Sequence, residues 1–163
     1  MRTSRPRRLA GVPYVGLQRY FLTTCTALRR RVFVSADVVD NALLQIRQTA
    51  TLFDFALIAY CFMPDHLHLL VRAESERANL PELVKRFKQL TGFAHRRTHA
   101  QSLWQPGYYD RIVRDDESTE AIVRYILENP VRAGLTNKIG SYPFAGSDVY
   151  SLDELLTAWE QQT

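Results

Sequence analysis

Hydrophobic positions along the chain follow two periods, one typical of strands and one typical of helices. Runs rich in aromatic and β-branched residues predict three strands, at 17–28, 52–62 and 66–73. Apolar positions three or four residues apart predict helices, at 36–49, 79–97, 116–129 and 152–160. A fourth strand is predicted between the last two long helices, where the loop that begins at Trp104 leads to Arg114.

The third helix carries signals at both of its ends. Asp115 or Asp116 is placed to cap its first turn, because a short acidic side chain can accept from the free backbone N–H groups there. The Asn129–Pro130 step is expected to end it, because the residue before a proline disfavours the α conformation. Gly134 then marks a turn.

The order of these elements defines the fold class. Strands alternate with helices, but the short Met63–Asp65 turn joins two strands as a hairpin and forces antiparallel pairing. The pattern therefore predicts an α+β fold: a two-layer ferredoxin-like sandwich, an antiparallel sheet with helices packed on it. Residues 1–16 are interpreted as a basic N-terminal arm, 17–150 as the main domain and 151–163 as a short C-terminal helix or tail. The arm could contact phosphates or be a solvated tail.

Composition narrows the class of partner. The 163 residues contain 21 Lys and Arg against 17 Asp and Glu, a formal charge of +4, and the pI near 9.3 points to nucleic acid before a membrane. Two cysteines cannot build a disulfide framework, and the longest apolar run, 55–64, is too short to span a bilayer. With no secretory signal recognisable, we expect a reduced, cytoplasmic protein, associated with the nucleoid when bound to DNA.

A pair of histidines is the strongest chemical signal. His66 and His68 are two residues apart in a predicted strand, so both imidazoles leave the same face of the sheet. Leu67, Leu69 and Val71 then point to the other face, against the core. Two neighbouring imidazoles supply two-thirds of an open metal site. The alternative is a pair of ordinary polar residues on a solvated face.

The third helix offers a possible reacting group. Tyr125 and Asn129 are one turn apart, at the edge of the helix's apolar stripe. An edge position allows a polar group to face the sheet, and a tyrosine there could act as a nucleophile. The alternative is a core tyrosine with a satisfied hydroxyl.

Four segments together resemble one family. MPDHLHLLV at 63–71 resembles the HUH motif (histidine, bulky apolar residue, histidine) of single-tyrosine transposases. VRYILENPVRAGL at 123–135 resembles the catalytic-tyrosine helix of the REP-associated tyrosine transposases, a group of IS200-like proteins. LWQPGYYDRIVRDDES at 103–118 and SYPFAGS at 141–147 resemble the segments before and after that helix. The resemblance spans roughly 15–150, and several motifs in the same order are more specific than any one of them.

The resemblance implies a reaction and its residues. His66 and His68 occupy the positions that bind a divalent metal, Asn129 the place of a polar third ligand, and Tyr125 the nucleophile position. The implied reaction is cleavage of single-stranded DNA near a hairpin, leaving a 5′-phosphotyrosine and a free 3′-hydroxyl. Imidazoles by themselves favour zinc, whereas an amide oxygen and waters suit Mg²⁺ or Mn²⁺, the metals that the resemblance implies.

Two departures from the family pattern stand out. Many relatives have histidine where this chain has Arg111, and Tyr108 and Tyr109 are rival nucleophiles. Tyr125 is preferred because only it has a helical partner, Asn129. Relatives with a single tyrosine work as dimers or as monomers, so a homodimer and a monomer both stay open.

Single-stranded DNA also needs a positively charged track and aromatic stacking surfaces. The candidates for DNA binding are Lys85, Arg86, Lys88, Arg96 and Arg97 for the track, with Trp104, Tyr108 and Tyr109 for stacking. The alternatives are a solvated helix face for the cations and a core anchor for Trp104.

Other functions fit less well. An RNA-recognition domain needs aromatic pairs on its central strands, where this chain has His66 and His68. A histidine-triad hydrolase needs a third histidine at position 70, which is Leu70, and two-histidine phosphodiesterases need a second His-x-Thr element that the sequence lacks. A catalytically silent, domesticated binder of single-stranded or hairpin nucleic acid remains the alternative function.

Overall fold

A computed structural model of the protein describes residues 17–162. The strands are β1 (Arg19–Cys25), β2 (Phe55–Met63), β3 (His66–Ala73), β4 (Tyr109–Val113) and the very short β5 (Ala145–Gly146). The helices are α1 (Ala36–Leu52), α2 (Leu80–His99), α3 (Thr119–Arg132) and α4 (Leu152–Gln161). The predicted arm, residues 1–16, lies outside the described residues.

The five strands form one sheet in the order β4-β1-β3-β2-β5, and each neighbouring pair is antiparallel. The β2–β3 hairpin turns at Pro64 and Asp65, as the sequence predicts. Strands β1 and β3 are paired along their whole length and lie inside the sheet. The predicted antiparallel α+β fold of ferredoxin-like type is confirmed.

Helices cover both faces of this sheet. Along β3, Leu67, Leu69 and Val71 join the core under α1 and α2, whereas Leu70 joins a second core under α3 and α4. Helices α3 and α4 therefore add a layer to the two that the sequence suggests. Among residues 17–162, none of the helices is both long and apolar enough to cross a bilayer.

Helix α3 passes through its proline instead of ending there. Pro130 lies inside the helix, which continues to Arg132, so the predicted end at Asn129 is wrong. A proline lacks the N–H that would bond to the carbonyl of Ile126, four residues back. The side-chain amide of Asn129 donates to the Tyr125 carbonyl at 3.0 Å and to the Ile126 carbonyl at 3.4 Å, which compensates for the missing donor.

The start of α3 also differs from the prediction. Ser118, rather than Asp115 or Asp116, is the N-cap, and its hydroxyl accepts from the Ala121 N–H at 3.3 Å. The two aspartates lie in a turn that the Glu117 N–H closes by donating to the Arg114 carbonyl at 3.1 Å. They therefore precede the helix.

Arg19 ties strand β1 to the segment that leads into α3. Its guanidinium donates to the carbonyls of Arg114 at 2.7 Å and Glu117 at 3.0 Å, and to the Thr119 hydroxyl. One side chain thus satisfies acceptors on both sides of the β4–α3 turn. These bonds hold the first turn of α3 beside the sheet.

We expect Ile126→Ala to lower the free energy of unfolding by about 2–5 kcal/mol, because the side chain is 0% exposed in the core under α3 and its loss leaves a cavity. Urea denaturation measures the change. Leu44→Ala, at a position 52% exposed on α1, is the control and should change stability by less than about 0.5 kcal/mol. Equal effects of the two changes would contradict the packing described for α3.

Candidate active site

His66 and His68 lie side by side on the sheet face that α3 covers. Their ring centroids are 4.8 Å apart and the rings are nearly perpendicular, at 82°. The register pairs Thr23 of β1 with His68 and Cys25 with His66, so these four side chains share a face. The predicted placement of both imidazoles on the face opposite Leu67 is confirmed.

His68 is held in the neutral form. Burial, together with the charges of His66 and Arg132, lowers its pKa to about 4. Its Nδ1 lies 2.9 Å from the Thr23 hydroxyl. That hydrogen bond leaves Nε2 as the ring nitrogen available to a ligand.

His66 is oriented by a carboxylate. Its Nδ1 lies 2.7 Å from Asp65 Oδ1, and the other oxygen of Asp65 lies 3.0 Å from Arg29 Nε. Burial works to raise the pKa of Asp65, but the His66 hydrogen bond and the Arg29 charge outweigh it and keep that pKa low. A carboxylate only accepts, so His66 Nδ1 carries the proton and Nε2 has the free lone pair, the arrangement common in metal-binding histidines.

Tyr125 stands at the edge of the same site. Its side chain is 49% exposed, so the alternative of a core tyrosine does not fit. Its ring meets Phe21 edge-on with centroids 6.1 Å apart, and Phe21 stacks on His68 at 5.6 Å. The Arg132 guanidinium lies 4.3 Å from the centre of the Tyr125 ring. Helix α3 therefore brings the phenol, a cation and the histidine pair to one face.

The side-chain nitrogen and oxygen of Asn129 differ in their hydrogen bonds. The nitrogen is committed to the carbonyls of the helix, and the oxygen accepts no hydrogen bond from residues 17–162. Within that range, no group of three or more His, Cys, Asp or Glu could hold a metal ion. A cation at His66 and His68 would therefore need an oxygen ligand as well, from an amide or from water.

The predicted DNA-binding cations lie elsewhere. Lys85, Arg86, Arg96 and Arg97 are exposed on α2, which covers the opposite face of the sheet. Lys88 is half-buried, and its ammonium donates to the carbonyls of Gln105 at 2.9 Å and Gly107 at 2.6 Å. Burial lowers the pKa of Lys88 to about 8.

The predicted stacking aromatics divide between the two faces. Tyr109 is exposed and pairs in register with Thr23, which places it on the histidine face. Tyr108 packs against the core under α1 and α2. Trp104 packs on Phe33 with ring centroids 5.5 Å apart, and its N–H donates to the Thr91 hydroxyl at 2.8 Å. These contacts support the core-anchor alternative for Trp104.

Four side chains at the site escaped prediction as functional residues: Phe21, Thr23, Arg29 and Arg132. Phe21 and Thr23 occupy alternate positions of the first strand, but only the β1–β3 register shows that they adjoin His68. Arg132 lies beyond the predicted end of its helix. Asp65 was noted only as a turn residue, although it directly precedes His66 in the sequence.

Comparison with known proteins gives the family. The protein-family model described as "Transposase IS200 like" matches residues 14–129 of the sequence. The chain belongs to the IS200-like transposase family. Within the family, it is 30% identical over 130 residues to the ISDra2 transposase TnpA of Deinococcus radiodurans, covering 73% of this chain and 88% of that protein. It is 20% identical over 138 residues to the REP-associated tyrosine transposase of Escherichia coli, covering 81% and 78%.

A solved structure has the same fold. The structure described as a REP-associated tyrosine transposase bound to a REP hairpin superposes with a TM-score of 0.72 at 19% identity. The match covers 85% of this chain and 82% of that one. The resemblance to REP-associated tyrosine transposases that the sequence suggests is confirmed.

We expect Lys88→Met to lower the melting temperature measurably, because it leaves the carbonyls of Gln105 and Gly107 without their ammonium donor. Lys85→Met, at an exposed position of the same helix, should leave it unchanged. Differential scanning calorimetry measures both. A melting temperature insensitive to Lys88→Met would show that the ammonium does not hold this segment.

Proposed function

We propose that this transposase cleaves single-stranded, hairpin-containing DNA through a 5′-phosphotyrosine on Tyr125, and rejoins strands by reversing that step. The proposal rests on one observation. The half-exposed Tyr125 ring of α3 contacts Phe21, and Phe21 stacks on His68, on the face where both histidines have a free Nε2. Family membership supports a DNA-cleaving enzyme. The solved relative bound to a REP hairpin supports a hairpin as the DNA partner.

His66 and His68, with the Asn129 oxygen, are the residues that would hold a divalent metal such as Mg²⁺ or Mn²⁺. When bound, such an ion withdraws charge from a phosphate oxygen and so favours attack on phosphorus. The protein supplies the rest of the local electrostatics. His68 remains neutral near pH 7, and the Arg132 guanidinium brings positive charge to the Tyr125 ring, where an anionic phosphodiester would arrive.

The bond changes balance without an external energy source. As the Tyr125 oxygen bonds to phosphorus, the phenol proton leaves to solvent, which reaches the half-exposed side chain. The bond from phosphorus to the 3′ oxygen breaks, and that oxygen takes up a proton to become the free 3′-hydroxyl. The phosphotyrosine conserves the ester, so another 3′-hydroxyl can attack it and release Tyr125.

We expect Tyr125→Phe to abolish a covalent adduct while DNA affinity stays within about twofold, because only the nucleophilic oxygen is lost. The substrate is a pool of hairpins with randomised single-stranded flanks, labelled at the 3′ end because that fragment stays on the protein, and incubated with Mn²⁺. Denaturing gels detect the adduct and mass spectrometry locates it. His66→Ala removes one of the proposed metal ligands and should abolish both DNA cleavage and its dependence on Mn²⁺.

Tyr109→Phe is the matched control, since Tyr109 is also exposed on the histidine face, and it should retain the adduct. An adduct located on Tyr108 or Tyr109 would disprove the assignment to Tyr125. Hairpins that bind without forming an adduct would instead identify a silent DNA-binding protein.

We expect Thr23→Val to weaken Mn²⁺ binding about 10–100-fold, because it removes the hydroxyl that orients His68. Isothermal titration measures the affinity. Thr24→Val is the control: Thr24 faces the other side of β1, and its buried hydroxyl has no hydrogen-bond partner among residues 17–162. An equal loss in both variants would show that the hydroxyl of Thr23 has no special role.

A further inference from the structure

A second pair of histidines lies on the opposite side of the sheet. His95 and His99 are one turn apart near the end of α2 and line a cavity of about 360 Å³ between α1 and α2. Their rings are stacked, with centroids 4.3 Å apart and an angle of 18° between the planes. The proposed cleavage reaction uses neither residue.

The hydrogen bond of His99 fixes which of its nitrogens is free. Its Nδ1 lies 3.3 Å from the carbonyl oxygen of His95. A carbonyl only accepts, so Nδ1 carries the proton and Nε2 keeps a lone pair. Two histidines at i and i+4 on one helix face, each with a free nitrogen, are a recurrent metal-binding arrangement.

The imidazole of His95 has no hydrogen-bond partner in the described part of the chain. The residue is only 8% exposed, yet its ring makes no hydrogen bond with any part of the chain from 17 to 162. Its ring nitrogens are not among the fully buried, unpartnered side-chain atoms of that range, so they remain accessible to a ligand. Its imidazole lines the cavity, where an ion would meet it.

The opposite wall of the cavity carries oxygen ligands. Asp37 and Asn41, again at i and i+4, line it from α1, together with the Ser35 hydroxyl, which makes no capping hydrogen bond. No lysine or arginine is among the described residues that line the cavity. One carboxylate and two imidazoles, without a neighbouring cation, favour a positively charged ligand over an anion.

We propose that His95 and His99 bind a divalent ion of the zinc class in this cavity, with Asp37 and water completing its coordination. Imidazole with carboxylate is a donor set that suits Zn²⁺, Co²⁺ and Ni²⁺ better than Mg²⁺. No three acidic, histidine or cysteine side chains in 17–162 already converge on one point, and the lone pairs of the stacked imidazoles lie in nearly parallel planes. Asp37 and both rings therefore have to rotate toward the ion. The bound ion would join α1 to α2.

The experiment uses untagged protein in which His66→Ala and His68→Ala remove the other histidine pair. We expect this double variant to bind one equivalent of Zn²⁺ by isothermal titration and to give a visible absorption band with Co²⁺. Adding His99→Gln should weaken Zn²⁺ binding at least about tenfold. At Zn²⁺ about 100 times above Kd, the melting temperature of the double variant should rise by about 5–10 °C.

Asp37→Asn, in the same background, should also weaken binding, whereas Asp40→Asn should not, because Asp40 is on α1 but does not line the cavity. Melting in a chelator shows that each variant folds. A double variant that binds no Zn²⁺, or binds it equally well with His99→Gln, would overturn the proposal. Failure here leaves the Tyr125 reaction unaffected, because the adduct assay depends on the other face.

Discussion

The register between β1 and β3 is the constraint on which the site depends. Side chains alternate across a strand, so pairing Thr23 with His68 assigns every neighbouring side chain to one face or the other. Phe21 and the histidines then share the face under α3, while Leu67 and its alternate neighbours fill the other core. A slip of one residue would point both imidazoles toward the apolar core under α1 and α2, and would point the leucines toward α3.

The position of Tyr125 follows from a second constraint, the burial of the residues next to it. Val123 and Ile126 are fully buried against the sheet, and the helical period then leaves Tyr125 at the border between core and solvent. Arg19 fixes the beginning of α3 through Arg114 and Glu117. The helix is therefore held at its start and along its apolar face, and in the part of the chain that the structure describes the phenol makes ring contacts with Phe21 and Arg132.

Periodicity within a single strand or helix correctly predicted which side chains of that element share a face. The two-residue period put His66 and His68 on one face, and the helical period put Tyr125 and Asn129 together. The contacts of His68 with Thr23, 45 residues away, depend on strand pairing that no single segment specifies. The predicted end of α3 was wrong because the preference of the residue before a proline is only a local bias. Here Pro130 is buried inside the helix, and the Asn129 amide donates to the Ile126 carbonyl that the proline leaves free.

The location of the α2 cations shows why helical periodicity was not enough to place a DNA-binding surface. The exposed cations of α2 are on the face opposite the histidines. A DNA strand that contacted both the cations and the histidines would have to pass around the end of the sheet. The segment after α2 lies there: the Gln105 N–H donates to the Cys25 carbonyl at 3.0 Å, and Lys88 holds the carbonyls of Gln105 and Gly107. This segment joins α2 to the end of β1 and leads on to Tyr109, which is exposed on the histidine face. The two faces are therefore connected through a loop that the helical period of α2 does not reveal.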